Sequence, residues 1–89
     1  MTTAQNDGPT VRRLQLGARL RNLRLAKGVT RDQAGYEIRA SESKISRMEL
    51  GRVSFKECDV VDLLKLYGVH DEDEHRRLLA LAHEANEPG

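Results

Sequence analysis

The sequence predicts an all-α fold, a compact bundle of five short helices. Three observations predict it. Apolar residues recur three or four positions apart in successive segments bounded by capping residues and glycines. The 89 residues contain no Trp, one Phe and two Tyr, so Leu, Ile, Val and Ala must fill the interior. Residues 30–52 (TRDQAGYEIRASESKISRMELGR) read as helix, tight turn, helix. The length fits one domain. A chain this small buries only about 60–70% of its unfolded surface, which argues against a large enclosed ligand pocket.

Residues 1–10 are polar and carry Gly8-Pro9, so they are expected to form a disordered lead, with the folded domain spanning 11–85. The first helix is predicted from Thr10 or Val11 to Lys27, closed by Gly28. Leu16, Leu20 and Leu23 give it a buried stripe. Arg12, Arg13, Arg19 and Arg21 lie elsewhere on it and read as solvated. Thr30 caps the second helix, and Gln33 completes a capping box. Ala34 and Ile38 share its apolar face. Gly35 lies between them. A glycine inside a helix costs about 1 kcal/mol relative to alanine, so a packing reason is expected, namely close approach of the next helix. Arg39 and Ala40 form the turn. Ser41 caps a third helix that runs to about Leu50, where Gly51 ends it.

Ser54 with Glu57 reads as a second capping box, starting a fourth helix. Val60, Leu63, Leu64 and Tyr67 form its inner side and Gly68 terminates it. Asp71 with Glu74 starts the fifth, whose acidic first turn suits the positive end of the helix dipole. Leu78, Leu81, Ala82 and Ala85 form its stripe. That stripe serves either the core or a second subunit. Residues 86–89 are expected to fray.

The third helix carries the candidate function. Ile45 and Met48 face inward. Glu42, Ser43, Ser46 and Arg47 share the opposite side, with Lys44 beside them. Such a face offers the donors and acceptors that base edges in the major groove require. Arg47 suits guanine, Glu42 suits cytosine, and the serines serve several bases. For an isolated helix, Glu42 would merely complement the dipole and Arg47 would be an ordinary solvated residue. The preceding helix, the turn and both caps together favour contact with double-stranded DNA.

Residues 29–52 resemble the helix-turn-helix of the Cro and phage-repressor class, the XRE family. The matching pattern is Val29-Thr30, the small Gly35, the apolar Ile38, then Ser41-x-Ser43-x-Ile45-Ser46-Arg47-x-Glu49-x-Gly51. The run from Leu16 to Thr30 and the ending Leu63 to Val69 further resemble amino-terminal domains of actinobacterial members. The likeness covers about residues 14–83. It implies a lambda-repressor-like five-helix fold that binds double-stranded DNA and regulates transcription. The face of the third helix gives Glu42, Ser43, Lys44, Ser46 and Arg47 as the expected base contacts, with Ser41 and Arg52 at its ends as expected backbone contacts, and the resemblance adds Arg31 as a further phosphate contact. Arg24 and Glu49 match a pair that forms a buried salt bridge. Two residues depart from the pattern. Arg39 stands where relatives have glycine, which strains the turn. Ala34 replaces a larger aliphatic residue, leaving room for Tyr36 or Phe55. Relatives commonly act as homodimers on half-sites about 34 Å apart, and usually continue into a carboxy-terminal regulatory domain.

Composition is consistent with this reading. The net charge of +1 hides a segregation: residues 11–56 hold twelve Lys or Arg against four Asp or Glu, and residues 57–89 hold three against nine. A duplex-facing surface backed by an acidic one is the expectation. The one cysteine, Cys58, excludes an internal disulfide, fits a reducing cytoplasm and reads as packed. No stretch approaches membrane-spanning length and no signal peptide is visible. His70, His75 and His83 form no metal-ligand spacing, and there is no nucleophile-His-acid arrangement or phosphate loop. An enzyme, a metal and a cofactor are therefore not expected. The rival reading is a protein-binding module of the antitoxin or partner-sequestering kind, with the acidic fifth helix docking a basic protein. RNA binding ranks third, because few aromatics are available to stack on unpaired bases.

Overall fold

A computed structural model describes residues 9–86. It contains α1 (Pro9–Lys27), α2 (Arg31–Glu37), α3 (Glu42–Glu49), α4 (Glu57–Leu66) and α5 (Glu72–Ala85). There is no strand among the described residues. The fold class is the one the sequence predicts. α1 starts slightly earlier than expected, at Pro9, a residue suited to the first helical position because its φ is already helical and its missing N–H would have no partner there. Pro9 and Thr10 thus belong to the helix; the rest of the expected lead lies outside the described residues.

α1 packs against α5 on one side and α3 on another, α2 packs against α3 and α4, and α4 packs against α5. The shared core comprises Leu16 and Leu20 from α1, Ala34 from α2, Ile45 and Met48 from α3, and Phe55 before α4. Val60, Leu63, Leu64 and Tyr67 join from α4 and its cap, and Leu78, Ala82 and Ala85 from α5. The stripe of α5 is therefore core, with Leu81 packed at its edge. Phe55 is buried, whereas Tyr36, the other candidate for the room beside Ala34, is 88% exposed. Helical spacing explains the difference, since Tyr36 lies two positions from Ala34 and points away from its face. Cys58 is also exposed rather than packed, because Val60, Leu63 and Leu64 define the inner side of α4.

Four helix ends share one geometry. After α1, Gly28 N–H bonds Leu25 O and Val29 N–H bonds Arg24 O. The same pair of bonds closes α3 at Gly51 and Arg52, and α4 at Gly68 and Val69. Each glycine takes the left-handed conformation this cap demands, with φ of 80°, 73° and 80°. α2 ends in the same way, with Arg39 N–H on Tyr36 O at 3.2 Å and Ala40 N–H on Gly35 O at 2.8 Å, but here the left-handed residue is Arg39, at φ 57°.

Two expected boundaries are corrected. α4 does not begin with a Ser54–Glu57 box; its N-cap is Lys56, which makes no side-chain cap. The reason is tertiary. Asn86 Oδ1 accepts from Phe55 N–H at 2.9 Å, and Asn86 Nδ2 donates to Phe55 O. With Phe55 buried, this pins the segment in extended form and delays the helix. Asn86, expected to fray, is thereby fixed as the C-cap of α5. Residues 87–89 lie outside the described residues. At the other end of α5, Asp71 Oδ1 caps Asp73 N–H at 3.0 Å. Glu74 turns away from the cap to Arg19 and Arg77.

Candidate nucleic-acid interface

The α2–turn–α3 unit is set by local chemistry first. Thr30 Oγ1 accepts from Gln33 N–H at 3.0 Å, and Gln33 Oε1 accepts from Thr30 N–H at 2.9 Å, so both halves of the capping box are formed. Ser41 Oγ accepts from Lys44 N–H at 3.0 Å and starts α3. Gly35 is where the turn folds back: a Cβ there would lie 2.6 Å from Ala40 O. The close approach expected of it is present.

α3 is then clamped from below. Arg24 Nε donates to Glu49 Oε2 at 2.7 Å and Nη2 to Glu49 Oε1 at 3.1 Å, with both side chains almost completely buried. Arg24 Nη1 also donates to Val29 O at 3.0 Å, tying in the α1–α2 connection. Hydrogen bonding to Glu49 holds the guanidinium above its ordinary pKa, against the opposing effect of burial. A paired fork of this kind fixes geometry as well as charge. Tyr67, near this pair, has its phenol pushed well up, first by burial and then by the Glu49 carboxylate, with Arg24 opposing. Its hydroxyl is buried without a hydrogen-bond partner.

With Ile45, Met48 and Glu49 turned inward, Glu42, Ser43 and Arg47 are exposed on the outer side of α3, and Lys44 and Ser46 are half-buried along its flanks. Ser41 is exposed at the head of the helix. Arg31 is half-buried at the start of α2, with Nε 3.6 Å from Glu49 Oε1. Arg52 is exposed just past α3, its N–H bonded to Arg47 O at 2.9 Å. Of the residues named from sequence, Arg31 lies at the start of α2, Arg24 on α1 and Glu49 on the buried side of α3, and the rest lie along the outer side and flanks of α3 and at its two ends.

The charge pattern is subtler than two opposed faces. Arg12 Nε pairs with Glu84 at 2.9 Å, and Arg19 Nη2 pairs with Glu74 at 2.7 Å. These two cations of α1, read as solvated, link it to the acidic α5. Arg39, Lys44, Arg47 and Arg52 have no ion pair among the described residues. The positive charge left uncompensated therefore includes α3, the turn before it and the loop after it.

Sequence reading passed over Gly17. A Cβ there would meet Met48 O at 2.5 Å and Glu49 O at 2.6 Å, so this residue lets α1 lie directly on the end of α3. Its one signal was a small residue beside the apolar stripe, which has many causes.

No three His, Cys, Asp or Glu side chains converge as a metal site among the described residues. No helix is long and apolar enough to cross a membrane among those residues. The profile of the helix-turn-helix domain family matches residues 15–78. No curated protein and no solved structure matches the chain. The match takes in α2, the turn and α3 whole, along with α4, most of α1 and the first half of α5. On this evidence the chain belongs to the helix-turn-helix domain family, a relative of the XRE type.

Proposed function

We propose that this protein binds double-stranded DNA with sequence preference by laying α3 in the major groove, and that it regulates transcription in the cytoplasm as a repressor-like factor. One observation carries the reading. The outer side of α3 presents Glu42, Ser43 and Arg47 to solvent, on a helix whose inner side is locked by the Arg24–Glu49 pair. Eight residues make a probe about 12 Å long, and a helix of ordinary diameter fits a major groove about 12 Å wide. A pre-set probe loses little freedom on docking.

In this reading Glu42, Ser43, Lys44, Ser46 and Arg47 meet base edges. Arg31, Ser41 and Arg52 hold phosphates on either side. Ser41 uses its oxygen for the cap, which leaves its hydroxyl proton free to donate. Binding as a homodimer would place two copies of α3 on half-sites about 34 Å apart.

Selection of bound fragments from a randomised duplex pool tests the proposal. A recurring motif is expected, with inverted symmetry if two copies act together. Arg47→Ala should then cost roughly 1–3 kcal/mol on that motif and relax one base position, whereas Arg52→Ala should weaken all duplexes alike. An unenriched pool, with affinity indifferent to salt, would instead favour a protein-sequestering module.

A further inference from the structure

The turn between α2 and α3 spends conformational energy that the other helix ends avoid. α1, α3 and α4 all close with glycine in the left-handed conformation. α2 closes with the same two hydrogen bonds, yet places Arg39 there at φ 57°. A side chain with a Cβ is strained in this region, because the Cβ crowds the following carbonyl. The conformation is imposed from outside the residue. The two hydrogen bonds from Arg39 N–H and Ala40 N–H hold the turn closed, with Ala40 O packed where a Cβ on Gly35 would lie. Glycine at position 39 would satisfy the same turn without strain. Such strain is characteristically kept where the side chain has a task.

Within the folded chain that task is not visible. Arg39 is exposed, and its guanidinium makes no hydrogen bond or ion pair among the described residues. Its neighbours explain why a cation belongs there. Ser41 and Glu42, two and three residues on, are the cap and first residue of α3. At most about 11 Å of chain separates Arg39 from Glu42. When that end of α3 enters a groove, a residue two positions before the cap stands over the rim, where the phosphates run. A flexible cation with several donors suits a phosphate there.

We infer that Arg39 is a DNA-backbone contact, retained in a strained conformation because its guanidinium pairs with a phosphate beside the head of α3. The inference rests on the proposed duplex binding and adds to it a residue that the family pattern would fill with glycine.

The role makes two effects of opposite sign. Arg39→Gly should relieve the strain and raise the melting temperature by roughly 2–6 °C. It should also weaken binding to a random-sequence 25-base-pair duplex by roughly 3–10-fold near physiological salt. The slope of log affinity against log salt should fall by about one unit. Arg39→Gln keeps the strain and removes the charge, so it should lose the same affinity with little change in melting. If Arg39→Gly melts higher but binds that duplex with the wild-type affinity and slope, the residue makes no phosphate contact and the inference is overturned while duplex binding stands. If the wild-type protein itself shows no salt-dependent affinity for the duplex, the binding proposal fails and the inference falls with it.

Discussion

Tyr67 brings a polar atom into the core without a hydrogen bond, close to a buried ion pair that satisfies itself. Removing such a hydroxyl also removes its desolvation cost, so Tyr67→Phe should change stability by no more than about 1 kcal/mol at neutral pH, with either sign allowed. The informative effect lies at high pH. The phenol is held above its ordinary value of 10.0 chiefly by burial. Above that pH the unfolded chain loses the proton while the folded chain keeps it. Stability is therefore complete below about pH 10 and falls as pH rises toward the folded value. Tyr67→Phe should flatten this alkaline limb, as measured by denaturant melts across the range. An unchanged limb would mean that Tyr67 is more solvated than the packing indicates. At this scale the sequence was most informative where a motif named both partners. Arg24 and Glu49 could be paired only because the motif supplied them, since nothing in the spacing of 25 residues requires contact.

Elements were legible where their signals are local. The Thr30–Gln33 box, the Ser41 cap and the closing glycines depend on neighbours within a turn or so, and each forms as read. The α4 boundary failed for the opposite reason. Ser54 and Glu57 have the right spacing, but the backbone of Phe55 is held by Asn86, 31 residues away. The approach of α1 to α3 shows the same limit. Gly17 looked like one small residue among others, yet it sits against the carbonyls of Met48 and Glu49. Gly17→Ala gains helix propensity, worth up to about 1 kcal/mol, but must push α3 aside. Overpacking of this kind typically costs about 1–3 kcal/mol, and backbone atoms yield poorly. We expect a net loss of stability in thermal melts, together with weaker duplex binding because α3 is displaced. An alanine variant as stable as the wild type would show that the two helices can separate freely.

Over the whole molecule, electrostatics joins what the sequence keeps apart. The basic first half and acidic second half meet through Arg19–Glu74 and Arg12–Glu84, which link the first helix to the last. Glu74 is held below the ordinary carboxylate value, first by its hydrogen bond to Arg19 and then by that to Arg77. Below the ordinary value of 4.5 the unfolded chain takes up a proton that folded Glu74 resists. Its contribution is therefore present above that pH and lost as pH falls through the folded value. Glu74→Gln should make the acid limb shallower below about pH 4.5, as read from urea melts at low salt. Arg19 and Arg77 are largely exposed, so added salt should shrink the difference. Equal acid limbs for the two proteins would remove Glu74 from the account.

The chain by itself determined which segments become helices, where most of them start and stop, and which side chains project from α3. Apolar periodicity, caps and glycine closures act over a few residues, so their physics is contained in adjacent letters. Only the tertiary structure decided that α5 belongs to the core, that Asn86 sets the start of α4, and that Gly17 seats α1 on α3. It also showed that α1 gives two of its cations to an acidic neighbour. These outcomes depend on distances between remote residues and on how much space the packed helices leave, and neither quantity is written into local sequence.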